Sequence, residues 1–156
     1  MDKPVNEETP LAWAVGRARQ ALQELLRHKM VLLMVGGALG TYARYWLTRW
    51  FNLHPWGQAF PLGTLVINVS GSFILGVAAV VILERLPPEY QDWYLLLGTG
   101  FCGGYTTFST FEWETFKLVR DGSWAYALAN VLGSVLARFA GVFLAVLIVN
   151  GLFPRR

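Results

Sequence analysis

Apolar residues fall along the chain in four long runs, separated by short polar segments. Two of the runs carry no charge at all, Pro61 to Leu83 and Trp93 to Phe111. About 20 apolar residues carry a helix across a bilayer core, so each run predicts a span. A run from Met30 to about Phe51 is interrupted by Arg44, and a last one from about Trp124 to Asn150 by Arg138. The pattern predicts an all-α integral membrane protein with four transmembrane helices over residues 30–152. Residues 1–29 follow a different rhythm. Leu11, Val15, Ala18, Leu22 and Leu25 recur at steps of three and four, while Arg17, Gln20, Gln23, Glu24 and Arg27 lie opposite. Thr9 and Pro10 read as the cap and first turn of this segment. The spacing predicts an amphipathic N-terminal helix, which either rests in the membrane interface or leads in through water. Its apolar residues are spaced rather than continuous, which argues against a signal peptide.

The third run contains an arrangement that an ordinary spanning helix does not need, GFCGGYTTFSTFEWE at residues 100–114. Gly103 and Gly104 withdraw side-chain support at mid-membrane, and Thr106 and Thr107 compete for backbone hydrogen bonds. A break in the third helix is therefore expected. Backbone groups freed inside a membrane must be met by protein, ion or water, and freed carbonyls can hold sodium. Phe108 and Phe111 share a helix face. Aromatic edges carry partial positive charge, so this pair either packs against lipid and core or faces an anion.

Other polar residues inside the runs form rows. Thr64 and Asn68 sit four apart in the second run, and Asn130 and Ser134 repeat that spacing in the fourth. Each row is either interhelical glue or a track of donors for a partly dehydrated anion. Arg44 either snorkels to the interface or lines a water-filled vestibule, and Arg138 poses the same choice deeper in its run. The spans hold no Asp or Glu to pair with either arginine. Glu112 and Glu114, at the end of the third span, read as a solvated helix end. A membrane interior with arginine and no carboxylate leans towards anion traffic. Small residues also recur at four-residue spacing: Gly36 and Gly40, Ser72 and Gly76, Gly100 and Gly104, and Gly133, Ala137 and Gly141. Such rows let helix backbones approach closely.

Composition narrows the function classes. The chain is 54% hydrophobic and only 15% charged, against about a quarter charged for a soluble domain. One cysteine, Cys102, excludes an internal disulfide or thiolate cluster, and the two histidines, His28 and His54, lie outside the spans. No Ser-His-Asp set can be assembled from spanning positions, so an enzyme is not expected. The net charge of +3 comes from scattered cations, which gives no nucleic-acid footprint. With four spans, eight Lys and Arg fall on the N-terminal side (Lys3, Arg17, Arg19, Arg27, Lys29, Arg85, Arg155 and Arg156) and three on the other (Arg49, Lys117 and Arg120). That bias predicts a cytoplasmic N-terminus. Without residues 1–28 it falls to four against three, so the core carries almost no orientation signal of its own.

Taken in order, GGALGTYARY at 36–45, PLGTLVINVSGSFILG at 61–76 and the 100–114 stretch resemble the Fluc/CrcB family of fluoride channels over residues 30–152. The resemblance implies an antiparallel, dual-topology homodimer in a bacterial inner membrane. It would export fluoride passively by electrodiffusion and so lower fluoride toxicity. The resemblance further implies a structural sodium ion at the dimer interface, held by the carbonyls of Gly103 and Thr106. It implies a phenylalanine pair, Phe108 and Phe111, facing the permeating ion. Thr64, Asn68, Thr107 and Ser134 match the pore, and Arg44 matches a vestibule or dimer contact. Asn130 stands where a track tyrosine is expected, and Arg138 where a small or hydroxyl residue is more usual. A small multidrug exporter also has four spans, but it needs a carboxylate in the first span, where this chain has Arg44. A non-transporting scaffold would explain the packing rows but neither the hydroxyl and amide faces nor the break.

Overall fold

The computed structural model describes residues 10–154. Thr9, read as a helix cap, and the loop cations Lys3, Arg155 and Arg156 lie outside the described residues, as do the side chains of Leu11 and Leu25. The chain divides between Val31 and Leu32 into two units. In the first, the described side chains of Val15 and Leu22 are exposed, and the Arg17 guanidinium lies 5.3 Å from the Trp13 ring centroid.

The described residues are helical, with no strand among them. The order is α1 (Pro10–Asn52), α2 (Pro55–Ala59), α3 (Leu62–Ala78) with a π-helical turn Ala79–Leu83, then a short 3₁₀ turn Pro88–Tyr90. A π-helical stretch Leu95–Cys102 follows and runs into α4 (Gly103–Tyr105), then α5 (Ser109–Arg120) and α6 (Trp124–Leu152). Prolines set two boundaries. His54 is extended (φ −107°, ψ 140°) because the ring of Pro55 disfavours a helical residue before it, and Pro55 then opens α2. Phe60 is likewise extended before Pro61, but Pro61 stands just outside α3, which begins at Leu62. The ends of α3 and α6 are tied where the Arg85 guanidinium donates to the Phe153 carbonyl and Asn150 Oδ1.

Leu62–Leu83 and Trp124–Leu152 are long and apolar enough to cross a membrane, by length and composition. Glycines seat them on each other: a Cβ at Gly76 would lie 2.9 Å from Ala145 Cβ, and one at Gly141 would lie 3.0 Å from the Val69 carbonyl. Gly133 meets nothing within 4 Å, so it does not belong to this packing row. The first expected span lies inside α1, and the third is interrupted. Gly36 and Gly40 of α1 pack directly against the interrupted segment, at the carbonyls of Leu96 and Phe101.

A tight turn joins α5 to α6. Gly122 has φ +76°, the Ser123 N–H donates to the Leu118 carbonyl (2.8 Å) and the Gly122 N–H to that of Val119 (3.0 Å). This is a helix-terminating motif that needs a left-handed residue. Gly122→Ala should therefore lower stability by about 1 kcal/mol. Thermal unfolding in detergent, followed by circular dichroism, measures it; an unchanged midpoint would remove this role.

Candidate functional site

The helix break expected from Gly103-Gly104 and Thr106-Thr107 is present. Thr106 still closes a helical turn, its N–H donating to the Cys102 carbonyl (2.9 Å) and its hydroxyl to the same oxygen (2.8 Å). It then turns to an extended conformation (φ −80°, ψ 159°), and helix resumes only at Ser109.

Asn68 holds the break. Its Nδ2 donates to the Thr107 carbonyl (2.9 Å), and its Oδ1 accepts from the Thr107 N–H (2.8 Å). One side chain from α3 thus satisfies both backbone groups of the residue where the helix opens. Asn68 itself is 2% exposed, and an amide buried to that degree needs such partners. Beyond the break, the Thr107 hydroxyl accepts from the Thr110 N–H (3.2 Å), as a cap at the start of a helix does, and donates to Thr110 Oγ1 (3.0 Å). These bonds take the usual helical donors away from two carbonyls. In a continuous helix Gly103 would accept from Thr107 and Thr106 from Thr110; both of those donors are turned elsewhere.

The other expected site residues group around this point. Phe108 is exposed and Phe111 buried, with ring centroids 5.7 Å apart. Arg138 of α6 places its guanidinium carbon 4.7 Å from the Phe111 ring centroid. A cavity of about 410 Å³ brings together Asn68, Gly103, Thr106, Thr107, Phe108 and Arg138. A second, of about 660 Å³, reaches Thr107 from α1 and is lined by Thr41, Arg44, Thr48, Arg49 and Thr110 among others. Thr107 therefore stands between two cavities, one with Arg138 in its wall and the other with Arg44 and Arg49.

Asn130 and Ser134 are buried on α6 and form a connected row. The Ser134 hydroxyl donates to Asn130 Oδ1 (3.2 Å), Asn130 Nδ2 donates to Thr115 Oγ1 (2.8 Å), and the Thr115 hydroxyl donates to the Phe111 carbonyl (2.8 Å). The expected row on one face is present, and its polar groups tie α6 to α5 rather than opening onto the cavity beside Phe108.

Glu114 differs from its reading as a solvated helix end. It is half-buried, and its Oε2 is buried without a hydrogen-bond partner among the described residues. It lines a third cavity with Thr64, Thr48, Asn52 and Lys117. The signal was available: Glu114 lies three residues after Phe111, which puts it on the same inward face.

The chain matches the family model described as "CrcB-like protein, Camphor Resistance (CrcB)" over residues 31–146. Among its relatives, a fluoride-specific ion channel FluC of Solibacter usitatus (strain Ellin6076) is 48% identical over 120 residues, covering 77% of this chain and 97% of the relative. A protein of the same name from Coxiella burnetii (strain CbuK_Q154) is 44% identical over 76% of this chain and 95% of its own. Another, from Pyrococcus abyssi (strain GE5 / Orsay), is 44% identical over 73% and 89%. The match runs through α3, the break and α5, which carry the Asn68–Thr107 clamp, and on into α6. The chain belongs to the CrcB-like family.

Proposed function

We propose that this protein is a fluoride-specific ion channel, which lets fluoride leave the cytoplasm passively and so lowers its toxicity. The observation that carries the reading is the 48% identity to a fluoride-specific ion channel along 97% of that relative's length. The geometry supports it. An anion path needs donors without a compensating acid, and the cavity at the break is lined by amide, hydroxyl, phenyl and guanidinium groups. Asn68 Nδ2 carries a second N–H besides the one given to Thr107, and this hydrogen serves the permeating ion. Phe108 and Phe111 offer ring edges, which attract fluoride without holding it as a full cation would.

The working unit is an antiparallel homodimer of four-span subunits in the bacterial inner membrane. Its support is the near balance of loop charges without residues 1–28 and the apolar face of α6, where Leu136 and Phe139 are 68% and 73% exposed. A face of that kind fits lipid or a second copy. The carbonyls of Gly103 and Thr106 fit a structural sodium ion between the subunits, because both have lost their helical donors. Sodium there would supply fixed positive charge at the centre of the assembly.

Fluoride efflux from proteoliposomes under a potassium–valinomycin potential tests the proposal. Rapid fluoride release with no chloride release is expected. No release of fluoride from folded, reconstituted protein would overturn it.

A further inference from the structure

Among the described residues, Arg138 is the one charged residue lining the 410 Å³ cavity at the break. Its Nε and Nη2 atoms are buried and have no hydrogen-bond partner among the described residues. One turn earlier on the same helix, Ser134 bonds Asn130, and Asn130 bonds Thr115. A guanidinium stays protonated at any physiological pH and accepts no hydrogen bond, so it cannot shed its charge to suit an apolar site. Burying two of its donors without partners is costly, and among the described residues no carboxylate lines this cavity to offset it.

The contact that Arg138 does make is aromatic. Its guanidinium lies over the face of Phe111, where the ring's quadrupole is negative. A cation on the face draws electron density from the ring and makes its edge more positive. Guanidinium and ring edge thus favour the same ligand, a small anion. The fork of Nε–H and Nη2–H adds two adjacent donors suited to a single anion.

We propose that Arg138, stacked on Phe111, forms a fixed binding site for one small monovalent anion in the cavity beside Asn68, Thr107 and Phe108. Resting on the fluoride-channel reading, the occupant is fluoride in transit. The site lowers the fluoride concentration at which the pore half-saturates, and it slows the ion's departure.

The test is titration of sodium fluoride into the purified full-length protein in detergent, read by calorimetry, beside fluoride efflux from proteoliposomes. Arg138→Gln should weaken fluoride binding about tenfold or more, since each lost hydrogen bond was charge-assisted. The same variant should raise the half-saturating concentration for efflux together with the maximal rate. Arg138→Lys keeps the charge but loses the planar fork and the stacking, so it should fall between the two. Equal binding by Arg138→Gln and wild type, or no fluoride binding by wild type, would overturn the site. If Arg138→Gln fails to fold, Arg138→Lys decides, because unchanged affinity in that variant rules out the two-donor site. Binding without efflux in wild type would leave the site standing and sink the channel reading. Efflux with unaltered binding and half-saturation in both variants would do the reverse.

Discussion

Asn68→Asp is expected to abolish fluoride efflux while leaving a folded, correctly sized protein. The carboxylate could still accept from the Thr107 N–H, but it would set a second oxygen against the Thr107 carbonyl, where Nδ2 now donates at 2.9 Å. A carbonyl stripped of its donor costs about 1–3 kcal/mol when buried, and the part-buried Thr107 carbonyl falls at the low end. The break would have to shift to relieve the repulsion, and the cavity would shift with it. The charge acts in the same direction. A carboxylate there either repels the anion outright or pairs with Arg138, which lines the same cavity, and removes the positive potential. Each route is worth at least ~2.7 kcal/mol, a loss of about 100-fold in occupancy. Asn68→Leu separates the two effects, since it removes the clamp without adding charge. The measurement is initial efflux rate per reconstituted protein, with size-exclusion elution as the folding control. Efflux within a few-fold of wild type in Asn68→Asp would remove Asn68 from both the clamp and the path.

Much of this site was legible in the sequence because it depends on local chemistry. Two glycines followed by two threonines weaken a helix wherever they stand, and the break falls at Thr106 to Phe108 as that chemistry requires. The four-residue spacing of Asn130 and Ser134 placed them on one face, and their 3.2 Å hydrogen bond follows from it. What the spacing could not supply was the partner across the helix interface. Asn68 meets Thr107 at a separation of 39 residues, and Asn130 meets Thr115 at 15. Neither pairing has a periodic signature, because it depends on how two helices are rotated against each other. The same limit applies to glycine. Gly141 and Gly133 belong to one spacing pattern, yet Gly141 abuts the backbone of α3 while Gly133 faces open space. Glu114 was misplaced for a related reason. Charge in a sequence suggests solvent, and only the neighbouring α3, whose Thr64 lines the same cavity, shows a polar recess instead.

Gly40→Ala is expected to be severely destabilising, with Gly36→Ala close behind. The cause is the nature of the neighbour rather than the volume added. At Gly40 the new Cβ would overlap the Phe101 carbonyl oxygen and lie 2.8 Å from the Tyr105 nitrogen. At Gly36 it would overlap the Leu96 carbonyl and lie 2.9 Å from the Phe101 nitrogen. A side chain in the way can rotate, but these are backbone atoms of the π-helical stretch and α4, so the whole segment must move. Overpacking a core usually costs 1–3 kcal/mol, and a clash that no rotamer can relieve belongs at ~3 kcal/mol or above. Helix propensity favours alanine over glycine by up to ~1 kcal/mol, too little to offset it. The loss should reach function as well as stability, because the segment displaced is the one that ends at Thr106 and Thr107. Gly37→Ala supplies the internal comparison: its Cβ would meet the Gly100 carbonyl at 4.0 Å, an ordinary contact, so this variant should melt like wild type or slightly above it. Thermal unfolding of the three variants in the same detergent, beside their fluoride efflux, gives the ranking. If Gly40→Ala unfolded no earlier than Gly37→Ala, α1 could not be seated on the broken helix as described.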